Sequence, residues 1–209
     1  IDYITLTRSC TSPEVSQWHG RAFDAIRLII DAGNKFAPST LLGYEGIAVG
    51  GSFLGTRHDG HMCRISGEWA DPLFGQVYDE YCQVTRIDLQ VTAWLRETKA
   101  TYGRRLRRNA HLHNVALPPQ RQRKIHWHED ASDGYTLYIG ARTSENYMRI
   151  YNKGAESGDS RYLGAWRYEV QSNGDTASRV AETLRMGAQD RSGVIRETIR
   201  LYAAERGIK

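Results

Sequence analysis

The chain has few of the residues that staple small secreted proteins together. Its three cysteines, Cys10, Cys63 and Cys82, lie far apart and form no C-x-x-C pair. That spacing indicates neither a disulfide framework nor a zinc knuckle and points to a reducing, cytoplasmic setting. No apolar run approaches the length of a membrane span, and the amino end has no charged-then-apolar leader, so no membrane partner is expected. A G-x-x-x-x-G-K-[ST] nucleotide loop is missing too, which argues against an intrinsic helicase or ATPase. Serine-protease and zinc-protease constellations are absent, as are internal repeats and long low-complexity tracts.

What is present is enough for a sizeable core. A chain of 209 residues needs no metal or disulfide to fold, and a single domain over 1–209 is expected. Because Ile1 stands inside a strand-like run, excision from a longer polypeptide is expected as well. The net charge of +4 is unevenly spread: residues 96–124 carry nine Lys or Arg against the single acid Glu97, a local +8 that leaves −4 for the rest. Such segregation suits a polyanion, most simply nucleic acid, and equally a solvated basic loop. Arg104, Arg105, Arg107, Arg108, Arg121, Arg123 and Lys124 are therefore candidate DNA contacts.

Periodicity predicts a strand over 2–7. A helix should follow, starting at Ser12-Pro13-Glu14, carrying Val15, Trp18, Phe23, Ile26, Leu28, Ile29 and Ile30, and ending at Gly33. Residues 44–65 read as an antiparallel meander with turns at Gly50-Gly51 and Asp59-Gly60. A second helix opens at Asp71-Pro72 and reaches Tyr81. An alternating strand over 84–92 then places Arg86, Asp88, Gln90 and Thr92 on its polar face. The basic segment holds a short helix at most, with Pro118-Pro119 as punctuation. Strands over 125–128 and 135–139 flank a turn at 130–134, and a Gly/Ser loop separates the strand at 148–153 from one at 165–170. The tail, 176–206, is helical with a break at Ser192-Gly193. The resulting class is α+β: a predominantly antiparallel sheet with helices on one face and an open polar face for a site.

One short run bears on chemistry. Over 148–153 the strand period sends Arg149, Tyr151 and Lys153 to one face. Cations beside a phenol favour its ionised form and also grip a phosphate, an arrangement suited to nucleophilic attack on a phosphodiester. The same pattern also fits a plain solvated sheet surface. Asp88 and Glu169 are hard oxygen donors suited to Mg²⁺ or Mn²⁺, with Glu68 as a third candidate. Alternatively, Asp88 pairs with Arg86, Glu169 pairs with Arg149 or Arg167, and Glu68 is a helix-start acid. Arg142 and Arg167 are candidate phosphate contacts. His111-Leu112-His113 and His126-Trp127-His128 each put two imidazoles on one side of an extended chain, a spacing also used by nickases with a His-hydrophobe-His metal site.

In order, Thr85-Arg86-Ile87-Asp88-Leu89, Tyr138-Ile139-Gly140-Ala141-Arg142-Thr143-Ser144, Met148-Arg149-Ile150-Tyr151-Asn152-Lys153 and Trp166-Arg167-Tyr168-Glu169-Val170 resemble the Rep_trans-type replication initiation factors. These include rolling-circle plasmid initiators, relaxases of integrative elements and phage replication proteins. The resemblance implies that Tyr151 nicks one strand at an origin, forming a 5′-phosphotyrosine link and a free 3′-OH. Asp88 and Glu169 would lie near the metal, with Arg149 and Lys153 assisting and Ser144 and Arg142 among the DNA contacts. It also implies origin duplex and single-stranded or extruded DNA as partners, a host helicase, and a homodimer where nicks are paired. Family members commonly carry an aspartate four residues after the first, where this chain has Thr92. A non-catalytic origin-binding regulator of the same fold is the alternative.

Overall fold

The computed structural model describes residues 1–130 and 134–208. Its contacts group into two compact units, residues 1–88 with 172–188 and residues 89–171 with 189–208. Antiparallel strands and packed helices build both, which is the expected α+β class. Among the described residues, no helix is long and apolar enough to cross a membrane.

In the first unit β1 (Tyr3–Ser9) lies between β5 (Gly60–Ser66) and the first half of β6 (Gln83–Trp94). Beyond β5 come β4 (Ser52–Arg57), β3 (Tyr44–Val49) and β2 (Phe36–Leu41). The meander and both of its turns fall where the glycines put them. Strand β2 is an addition to the expected set: Pro38 and a mostly exposed face disguise it, and an edge strand is where a proline is tolerated. Helix α1 (Val15–Asp31) buries Trp18, Ala22, Ala25, Ile26 and Ile29, and the Trp18 indole donates to Val77 O at 2.7 Å. Ser12 is not its cap; Glu14 stands there in the left-handed region with no capping bond. Helix α2 (Ala70–Val77) stops before Tyr78 and Tyr81, because the chain turns extended at Tyr78.

The second unit runs from the remainder of β6 to β10 (Ala165–Asn173), β9 (Asn146–Asn152), β8 (Gly134–Ile139) and β7 (Ile125–Asp130). The turn expected at 130–134 falls largely on residues 131–133, which lie outside the described set. The main correction here concerns the basic segment. Instead of a short helix at most, it forms the 17-residue α3 (Lys99–Val115). Thr98 caps it, its Oγ1 accepting from Thr101 N–H at 3.2 Å. Tyr102, Leu106 and Ala110 follow at four-residue spacing and turn inward. Such a narrow apolar stripe among arginines is enough, because arginine itself is a good helix former.

Gly103 allows α3 its close seat. A Cβ there would meet the Tyr135 ring at 3.0 Å and the Trp127 ring at 3.4 Å. Two other expectations shift. The short helix α4 (Lys153–Ser157) occupies the presumed loop, capped by Asn152, whose side chain accepts from Ala155 N–H at 2.7 Å. The tail breaks at 187–190, between α5 (Gly174–Met186) and α6 (Arg191–Ala204), not at Ser192-Gly193. Gly193 lies inside the first turn of α6, where its N–H is bound by the Asp190 cap at 2.9 Å.

Candidate active site

Register settles which residues share the tyrosine's face. Strand β9 pairs with β8 so that Tyr151 stands opposite Thr136 and Arg149 opposite Tyr138. Strand β8 in turn sets Tyr138 opposite His126 and Thr136 opposite His128. Directly paired residues point to one side of a sheet. Met148, Ile150, Leu137 and Trp127 therefore point to the other, where Trp127 and Tyr135 meet α3.

On the first face the central contact joins β9 to β10. The Tyr151 hydroxyl donates to Glu169 Oε1 at 2.6 Å. The Arg149 guanidinium holds Glu169 Oε2, with Nε at 2.8 Å and Nη2 at 2.7 Å, and stands 4.3 Å from the Tyr151 ring centroid. Lys153 is not on the strand as the spacing predicted. It begins α4, with Nζ 2.6 Å from Glu156 and 6.0 Å from the Tyr151 ring. Asn152 causes the difference: its cap bond ends the strand and starts the helix. The cation still lies beside the phenol, reached by a bend in the backbone.

Two expectations about the phenol are corrected. The polar face does not leave it open, since Tyr151 is only 3% exposed. Nor do the cations prevail over its ionisation. Burial, then the hydrogen bond to Glu169 and its negative charge, push the phenol well above the ordinary tyrosine range, against the downward pull of Arg149 and Arg167. In this arrangement the phenol is a neutral donor with a carboxylate already on its proton.

Arg167 is held by β6: its Nε donates to Thr92 Oγ1 at 3.0 Å. Thr92 thus orients a cation near the phenol. In the first unit Asp88 is bound by Arg86, Nε to Oδ1 at 2.8 Å and Nη2 to Oδ2 at 2.5 Å, and Glu68 is exposed in a 3₁₀ turn, Gly67–Trp69. Both acids whose pairing had been an alternative are therefore paired with arginine. A carboxylate oxygen pair can accept from an arginine and ligate a cation through another lone pair, so the donor chemistry of Asp88 and Glu169 suits Mg²⁺ or Mn²⁺. Among the described residues, no group of three or more His, Cys, Asp or Glu is arranged to hold a metal ion.

The remaining candidates scatter. Ser144 Oγ lies 2.5 Å from Ala141 O and 2.8 Å from Asn146 O, so its hydroxyl serves the turn before β9. Arg142 is exposed, 5.9 Å from the Tyr147 ring centroid. Arg105 is bound by Glu97 at 2.7 Å. Arg104, Arg107 and Arg108 line a groove of about 540 Å³ with His111, Ile125 and Trp127, on the sheet face opposite Tyr151. Arg121, Arg123 and Lys124 are exposed between α3 and β7.

The first histidine pair is corrected as well. His111 and His113 lie on α3, where residues two apart do not share a side, and His113 Nε2 is 2.9 Å from Glu205 O. His126 and His128 do share a face of β7 and are exposed. Sequence reasoning passed over Tyr138 and Tyr147, although strand period alone puts Tyr147 on the side of Arg149 and Tyr151.

The model of the replication initiation factor family matches residues 82–205. No curated protein matches the chain in sequence. Among solved structures, the fold is similar to that of the rolling circle replication initiator protein from Geobacillus stearothermophilus. The TM-score is 0.60 at 19% sequence identity, over 87% of this chain and 76% of that one.

Proposed function

Because the chain belongs to the replication initiation factor family, we propose that it nicks and rejoins one DNA strand at an origin, with Tyr151 as the nucleophile, to start rolling-circle replication or transfer of a mobile element. The observation that carries this reading is the Tyr151–Glu169 hydrogen bond at 2.6 Å, with Arg149 on the carboxylate's other oxygen. A phenol whose acidity is suppressed needs a base at the moment of attack, and Glu169 is already in place. Tyr151 Oη attacks phosphorus as its proton passes to Glu169 Oε1. The bond from phosphorus to the 3′ oxygen breaks, leaving the 5′-phosphate on Tyr151 and a strand end that takes a proton as 3′-OH. Reversal of these steps rejoins the strand.

Arg149, Lys153 and Arg167 bind the phosphate's non-bridging oxygens, which requires them to swing from the phenol as DNA enters. Glu169 is a proposed donor for Mg²⁺ or Mn²⁺, which when bound would withdraw charge from those same oxygens, and in the first unit Asp88, with Glu68 the weaker, is a proposed donor in its own right. The test is a labelled single-stranded origin oligonucleotide mixed with protein and Mn²⁺. A labelled band that survives denaturing electrophoresis at the mass of protein plus DNA supports the reading, and its absence over a range of origin sequences removes it.

The burial of the phenol favours a second reading, an origin-binding regulator without catalysis. It requires binding that is insensitive to chelation and no covalent band at any divalent concentration.

The groove beside α3 is proposed to take a different stretch of DNA from the one that reaches Tyr151, since it opens on the other face of the same sheet. Replacing Arg104, Arg107 and Arg108 together by Ala should lower the slope of log affinity against log salt for duplex by roughly 2 to 3. Adduct formation on a short single strand should persist. Loss of both together would place the two functions in one site.

A further inference from the structure

The face that carries Tyr151 also carries aromatic rings that the proposed chemistry leaves unused. Tyr138 stands directly opposite Arg149 on β9 and opposite His126 on β7. Its ring centroid is 5.9 Å from that of His126 and 6.2 Å from that of Tyr147, the latter pair inclined by 22°. The three differ in access: His126 is exposed, Tyr138 is half-buried, and Tyr147 is only 9% exposed. Tyr147 therefore backs Tyr138 and limits its movement, while Tyr138 and His126 keep surface toward solvent.

Another aromatic pair of the sheet is used differently. Trp127 and Tyr135 are the seat of α3 at Gly103, so their rings serve packing. Around Tyr138, by contrast, the neighbours on the same face are cations: Arg149 beside it and Arg142 beside Tyr147. Flat π surfaces between guanidinium groups match a chain of bases strung on phosphates. Duplex is a poor fit, because its bases are stacked on one another and present no free faces. Diagonal neighbours across a strand pair are separated by roughly 7 to 8 Å, so Tyr138 and Tyr151 are within the reach of one nucleotide step.

We propose that Tyr138, backed by Tyr147 and flanked by His126, is a stacking platform for an unpaired nucleobase next to the phosphate presented to Tyr151. The platform fixes the register of the single strand, and Arg142 and Arg149 hold its backbone. Its placement rests on reading Tyr151 as the nucleophile, whereas stacking itself needs no chemistry.

The test uses Tyr151→Phe protein in EDTA and a fluorescein-labelled oligothymidylate, read by anisotropy. Adding Tyr138→Ala is expected to weaken binding about ten-fold, within the range of one base stacked on an aromatic ring. Tyr138→Phe should stay within about two-fold of the parent, and Tyr138→Leu, which retains apolar volume, should lose as much as Ala. An abasic chain of equal length, which has the phosphates but no bases, should bind all four proteins alike. Undiminished oligothymidylate binding by Tyr138→Ala overturns the proposal, as does an equal loss on the abasic chain. The covalent assay with wild-type protein is independent: an adduct with no effect at Tyr138 removes the platform alone, and stacking with no adduct removes the nucleophile alone.

Discussion

Tyr151→Phe protein is expected to form no covalent adduct and to leave supercoiled origin plasmid unnicked in Mn²⁺, while binding origin DNA within about two-fold of wild type. The substitution deletes one oxygen. The ring keeps its cation contacts with Arg149 and Lys153, and the fold should survive, because the partner stranded is Glu169 Oε1, which loses one hydrogen bond. Glu169 keeps Arg149 on its other oxygen, so the cost is that of one hydrogen bond at a half-buried site, about 1 kcal/mol. A nucleophile's removal, by contrast, eliminates the covalent route altogether. Undiminished nicking by this variant, read on agarose gels against wild type, would discard Tyr151 and return attention to His126 and His128.

Glu169→Gln should lower the nicking rate by about 10²- to 10⁴-fold, the usual contribution of a positioned base. The amide oxygen can still accept from Arg149, so much of the geometry is retained, but it cannot take the phenol's proton. The sign of the accompanying titration is set by the same contacts. Burial raises the Tyr151 pKa most, the Glu169 hydrogen bond and charge raise it further, and Arg149 and Arg167 lower it. Removing the charge must therefore lower the phenol's pKa, while the part raised by burial remains. Carbon-13 NMR of ring-labelled tyrosine can follow this, with Tyr151→Phe identifying the resonance.

A more acidic phenol combined with a slower reaction means that the base, and not phenolate content, limits attack. A rate equal to wild type would contradict that role. Mn²⁺ dependence separates a further contribution: an unchanged half-saturating concentration with a lower maximum rate marks a proton acceptor, and a raised one marks a metal ligand.

Legibility in the sequence followed the range of the interaction. The glycine turns of the β3–β5 meander and the extent of α1 are local patterns, and both were readable to within a few residues; the stripe of α1 was only partly so, because Phe23 and Leu28, expected inside, are 48% and 46% exposed while Ala22 and Ala25 take the buried positions. Helix α3 was not, because its apolar stripe is three residues wide and the eye is drawn to the arginines around it. Lys153 was misplaced for a related reason. Strand period was extended one residue too far, past an asparagine whose short-range cap bond to Ala155 N–H redirects the chain.

The amino-acid sequence by itself determined the α+β class, the family, and the presence of a tyrosine flanked by cations with acids on other strands. Each is written in composition, in period-two alternation, or in the order of motif blocks. Tertiary structure alone decided how the phenol is treated. Pairing of β9 with β10 delivers a carboxylate to the hydroxyl and buries the ring, so an environment expected to ionise the tyrosine instead keeps its proton and sets a carboxylate on it. It also decided that the basic helix and the tyrosine lie on opposite faces of the sheet. Charge along a chain cannot show that, because the face a residue takes depends on which strands pair and in what register.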